Sequence, residues 1–134
     1  MAIIFIDYMQ LYYQEVARTA VPAVTGGKFV QIRNGASLYL VFSPTEFTKY
    51  HANIVERFCM DKGIDGRYDA ERKRFDIYDT AWTIVGGGKF EIDRARKTIR
   101  LHDDSLAYGK FDKAGLADAM LSFSEFSGFT IQIE

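Results

Sequence analysis

The chain has 134 residues, 48 % hydrophobic and 15 % aromatic, which suits one domain with a real core and excludes a disordered chain. Its net charge of −1 excludes a general nucleic-acid surface, which needs clustered excess Lys and Arg. No run of about eighteen apolar residues offers a membrane helix, and a lone Cys59 excludes an internal disulfide, so a reducing, cytoplasmic setting is expected.

The N-terminus carries no basic start or small-residue cleavage site of a signal peptide, and Asp7 and Gln10 interrupt its apolar run. AIIFI reads as a short strand or helical turn. A helix follows from Asp7, as N-cap, to Arg18. Tyr8, Met9, Leu11, Tyr12, Tyr13 and Val16 make it apolar around much of its circumference, so it covers the core or serves self-association through residues 1–20. TAVPAVTGG reads as a loop, residues 28–33 as a half-buried strand, Asn34-Gly35 as a hairpin turn and residues 37–42 as the returning strand.

The segment 43–60 reads as one amphipathic helix. Ser43 with Glu46 forms a capping box, Pro44 takes the first helical position, and Gly63 closes the far end with Lys62 in the last turn. At 100° per residue, Phe47, His51, Ile54 and Phe58 share its inner stripe. His51 then lies beyond the first helical turn, where the helix dipole is weak.

Residues 66–80 suggest two short strands around a charged, solvated tip that carries Arg72, Lys73 and Arg74. AWTIV is β-prone and breaks at Gly86–Gly88, a glycine run read as a bulge or a close backbone crossing. Residues 89–93 and 98–102 form a second hairpin, 103–109 a loop, 112–122 a helix capped by Asp112, and 129–133 a closing strand. The sum is an α+β domain: a mostly antiparallel or mixed sheet, two main helices and an added N-terminal helix.

Lys28 at a strand start, His51 on the helix and the Ser105–Gly109 loop are the pieces that bear on chemistry. A loop with Ser105, Ala107 and Gly109 can aim successive N–H groups at an anion, with a serine hydroxyl added. Lys28 supplies a compact positive charge, and a histidine beside an anion is the side chain suited to act as base or nucleophile near neutral pH. Each has a plainer alternative: a packed, hydrogen-bonded histidine, a solvated lysine, an ordinary serine turn. The only histidines are His51 and His102, with one cysteine, so no metal motif appears. The triple glycine precedes a strand and no Walker Lys-Ser/Thr pair, so it is no nucleotide fingerprint, and no cofactor is expected.

Lys28-Phe29-Val30, Tyr50-His51-Ala52-Asn53-Ile54, Gly86-Gly87-Gly88-Lys89, Lys97-Thr98-Ile99 and Ser105-Leu106-Ala107-Tyr108-Gly109, in that order, resemble the Janus/Ocnus family over residues 28–133, with 1–27 as a helical extension. The best-known member of that family is a protein histidine phosphatase. The resemblance implies that His51 is the catalytic histidine and that Lys28 faces the phosphate. It implies too that Ser105, Leu106 and Ala107 form the phosphate loop, with Lys89 standing where the family usually carries an arginine. Asn53 replaces the usual aspartate, Ser43 and Pro44 replace an arginine and a glycine, and 66–80 is an insertion. The implied activity is metal-independent hydrolysis of phosphorylated nitrogen, in a protein or a small phosphoramidate. A non-catalytic phosphate- or phosphoprotein-binding module on the same fold, or a protein-interaction module, is the alternative.

Overall fold

The computed structural model describes residues 2–134. Eight strands alternate with short helices: β1 (Ala2–Asp7), α1 (Tyr8–Leu11), β2 (Val24–Asn34), β3 (Ser37–Pro44), α2 (His51–Lys62), β4 (Gly66–Tyr68), β5 (Phe75–Ile77), β6 (Trp82–Asp93), β7 (Thr98–His102), α3 (Leu116–Leu121) and β8 (Thr130–Ile133). Six strands form one sheet in the order β1-β3-β2-β6-β7-β8, and β4 pairs with β5 alone. The inner pairings are antiparallel, while β1 joins β3 and β8 joins β7 in parallel.

Both faces of the sheet are covered, which explains why its central strands carry continuous apolar runs. Phe29, Phe42, Phe90 and Leu101 face one core with Leu116, Met120 and Phe126. Val30, Ile32 and Val41 face the other with Ile54, Val55 and Phe58 of α2 and Phe75 of β5. The alternation of Phe29 and Val30 between cores is the two-residue strand period written in side chains. Gln31, expected on a half-solvated strand, is buried; its amide spans the Asp112 backbone, donating to the carbonyl at 2.8 Å and accepting from the N–H at 2.7 Å.

Several boundaries differ from the sequence reading. The strand β2 begins at Val24, so Gly26 and Gly27 lie in the sheet and not in a loop. A Cβ on Gly27 would meet the Ser43 carbonyl oxygen at 2.1 Å, so this crossing of β2 and β3 requires glycine. The hairpin turn falls on Gly35 and Ala36, one residue later than expected, with Gly35 at φ +60°. The larger difference is the start of α2, at His51 and not after Ser43. Ser43 and Pro44 continue β3, paired with Lys28 and Gly27 of β2, and sheet hydrogen bonds outweigh the local capping-box pattern. The Ser43 hydroxyl accepts instead from Thr48 Oγ1 at 2.6 Å, and the Pro44 carbonyl takes the Phe47 and Thr48 N–H groups in a turn.

At the N-terminus Asp7 does cap a helix, accepting from Met9 N–H at 2.8 Å. That helix is one α turn that widens into a π-helical turn over Tyr12–Ala17 and ends at Arg18 in left-handed geometry. The α3 helix is shorter than expected. Gly115 precedes it, and Asp112 accepts from Ala114 N–H in the lead-in. Among the described residues, no helix is long and apolar enough to cross a membrane.

Candidate functional site

The late start of α2 makes His51 its first residue. Asn53 supplies the cap: its Oδ1 accepts the Tyr50 N–H at 3.0 Å, and its amide donates to the Tyr68 hydroxyl of β4, which in turn donates to Glu56. His51 is only 7 % exposed and points its ring at the triple-glycine stretch of β6. The ladder between β6 and β7 ends at Lys89, so the Gly88 carbonyl is not consumed by β7 and lies 2.9 Å from His51 Nε2. A carbonyl only accepts, so Nε2 carries the hydrogen, and in the neutral ring Nδ1 carries the lone pair.

The glycines make this placement sterically feasible. A Cβ on Gly87 would lie 2.6 Å from the Phe29 carbonyl oxygen and 2.8 Å from His51 Cδ2. One on Gly86 would strike the Lys110 carbonyl at 2.0 Å. The β6 strand runs unbroken through all three, and the register shift opposite Gln31 and Ile32 skips Val85, so the bulge lies just before the run and the run itself is the close crossing.

A pocket of about 860 Å³ opens beside the ring, bounded by β2 and β6 at Lys28 and Lys89, by the β4–β5 tip and by the loop after β7. Lys28 and Lys89 are direct cross-strand partners. Lys28 Nζ donates to the Lys49 carbonyl at 2.7 Å and lies 5.3 Å from the Tyr50 ring centroid, while Lys89 pairs with Asp103 at 3.0 Å. Partial burial and the neighbouring Lys89 ammonium pull the Lys28 pKa below its ordinary value. Burial lowers that of His51 too; the Gly88 bond opposes this, and the two lysines add to it. The α2 N-terminus, positive end of the helix dipole, acts in the same direction. The dipole, expected to be weak at His51, is therefore at its strongest there, and it adds to the burial that favours the neutral ring.

Leu106 and Ala107 line the pocket, and their backbone N–H groups donate to no acceptor among the described residues. Ser105 is placed differently. It is 3 % exposed and outside the pocket lining; its Oγ accepts the Tyr108 N–H at 3.1 Å, and its backbone pairs with Gly109 in both directions. It shapes the loop from beneath. His102 faces an adjoining hollow with Glu46 and Glu91, which shares Lys28 and Lys89 with the first pocket. Of the expected site residues, His51, Lys28, Lys89, Leu106 and Ala107 meet on one pocket and Ser105 underlies it. Among the described residues no three His, Cys, Asp or Glu side chains gather as ligands for an ion.

The β4–β5 tip, read from sequence as merely solvated, forms the outer wall of this pocket. Arg74 spans to the Ala107 carbonyl at 2.9 Å and covers the Tyr108 ring. The Tyr108 hydroxyl donates to the Phe75 carbonyl at 2.7 Å and accepts the Phe75 N–H at 2.9 Å. Hairpin and loop are thus stapled together. Tyr68 and Tyr108 were not legible as site-building residues because each acts through partners distant in sequence, and Asn53 was not because it caps the helix from within.

The family model described as Janus/Ocnus family (Ocnus) matches residues 27–130. No curated protein matches the chain.

Proposed function

The chain belongs to the Janus/Ocnus family, and from that membership and its pocket we propose a phosphatase acting on phosphorylated nitrogen, as in phosphohistidine or phospholysine. The observation that carries this reading is the commitment of His51 Nε2 to Gly88. It orients the ring and leaves the lone pair on the other nitrogen, and His51 lines a pocket that also holds two ammonium groups and two unspent amides.

In the nucleophilic form, Nδ1 forms a bond to phosphorus as the substrate P–N bond breaks, and the departing nitrogen takes a proton from water. The hydroxide left behind then attacks the same phosphorus, the Nδ1–P bond breaks with its electron pair returning to Nδ1, and phosphate is released. In the general-base form, Nδ1 removes a proton from water as that water attacks phosphorus, the same P–N bond breaks, and the proton passes from Nδ1 to the departing nitrogen. In both, the Leu106 and Ala107 N–H groups and the Lys28 ammonium hold the equatorial oxygens, since phosphoryl transfer is mostly positioning and electrostatics. Lys89 contributes charge from a position shared with Asp103. Each step uses groups of this chain and water alone.

That shared charge favours one second reading, a binding module that holds phosphate without turning it over. Hydrolysis of a phosphohistidine peptide separates the two. The expected result is turnover by the native protein and none by a folded His51→Ala variant; undiminished turnover in the variant overturns the catalytic reading, and phosphate binding with no turnover in either supports the second.

A further inference from the structure

The pocket is far larger than a phosphoryl group requires, and at about 860 Å³ it lies near the upper end of small-ligand sites. Its charges are unevenly spent. Lys89 is paired with Asp103, Lys73 with Glu71, and Arg74 with Asp76. Asp69 accepts the backbone N–H groups of Lys73 and Arg74. Two lining cations remain without a carboxylate partner among the described residues: Lys28 beside His51, and Arg72 on the β4–β5 wall.

Arg72 is held ready. Its backbone is left-handed (φ +57°), and its guanidinium lies 4.3 Å from the Tyr68 ring centroid. Stacking occupies the face of the guanidinium, and the N–H edge is left for a planar anion. On the rim of the same pocket Leu106 is 104 % exposed, an apolar contact that a polypeptide can use and a free phosphate cannot.

We propose that Arg72 is a second anion subsite, which binds a glutamate or aspartate side chain flanking the phosphorylated residue of a protein substrate. This rests on the phosphatase reading of the His51 pocket and adds the substrate class.

The test compares KM for three probes: a phosphohistidine peptide flanked by glutamates, its glutamine counterpart, and phosphoramidate itself. Arg72→Asn removes the guanidinium and tolerates left-handed backbone; Arg72→Lys keeps the charge without the planar fork. The native protein is expected to favour the glutamate peptide by about fivefold, as befits an ion pair at a pocket edge. Arg72→Asn erases that preference, Arg72→Lys restores part of it, and phosphoramidate KM is the same in all three proteins. A glutamate preference that survives Arg72→Asn, or that is missing from the native protein, overturns the proposal. Should the native protein hydrolyse no probe, the phosphatase reading fails separately. Calorimetry with the unphosphorylated peptides then decides: a glutamate preference lost in Arg72→Asn supports the subsite, and equal binding of both peptides overturns it.

Discussion

At the first position of α2, His51 meets opposing influences that act on one proton. Burial and the Lys28 and Lys89 ammonium groups disfavour the imidazolium, and so does the positive end of the helix dipole; the Gly88 bond and, more weakly, Asp103 favour it. The folded ring therefore binds a proton less readily than the same ring in the unfolded chain. Stability from this group is fully present above the ordinary imidazole pKa of about 6.5 and is lost as the pH falls below that value. Turnover follows the same direction, because the neutral ring holds the working lone pair. An NMR titration of the His51 ring should give a midpoint below 6.5; a His51 midpoint at or above 6.5 contradicts the described environment. The sequence shows His51, Lys28 and Lys89 as chemistry-bearing residues through their types and order. It does not show which ring nitrogen is free, because the Gly88 carbonyl lies 37 residues away and has no side-chain signature.

Between elements, the site depends on contacts that join pieces distant in the chain. Among the described residues the β4–β5 hairpin pairs with no other strand, and it is held by α2, by Arg74 and by the Tyr108 hydroxyl. Removing that hydroxyl leaves the buried Phe75 N–H with no partner and its carbonyl short of one. Tyr108→Phe should cost about 1–3 kcal/mol in denaturant unfolding, with a larger KM for phosphopeptides as the pocket wall loosens. A variant as stable as the native protein would show that the staple contributes nothing. Element type was mostly legible, because period-two alternation marks β7, apolar runs mark β3 and β6, and Gly63 marks the end of α2. The start of α2 was not. Ser43-Pro44-Thr45-Glu46 is a good helix start when read locally, and only the pairing of Ser43 with Lys28 across the sheet overrides it. The true cap comes from Asn53, inside the helix, so the usual search for a residue before the first turn misses it.

For the molecule as a whole, the N-terminal segment is structural as well as additional. The β1 strand extends the sheet beyond β3, and the Phe5 ring lies 5.2–5.3 Å from those of Phe42, Phe123 and Phe126, so the first strand closes the core containing α3. Phe5→Ala should destabilise the protein by about 3 kcal/mol, seen as a lower melting temperature; an unchanged melt would mean that the segment rests on the fold without supporting it. The α+β class and the two main helices were legible because composition and periodicity are whole-chain properties. The parallel outer strands were not, since nothing local in AIIFI names its partner. This architecture places one imidazole, two lysines and two free amides around a common pocket. The central claim, that the pocket holds a phosphoryl group against His51 Nδ1, is tested most directly by titrating inorganic phosphate into protein labelled for ¹⁵N NMR. The account predicts that the Nδ1 resonance and the Leu106 and Ala107 amides shift together along one binding curve while the Nε2–H bond to Gly88 persists. Saturating phosphate that leaves those three signals unmoved would contradict it.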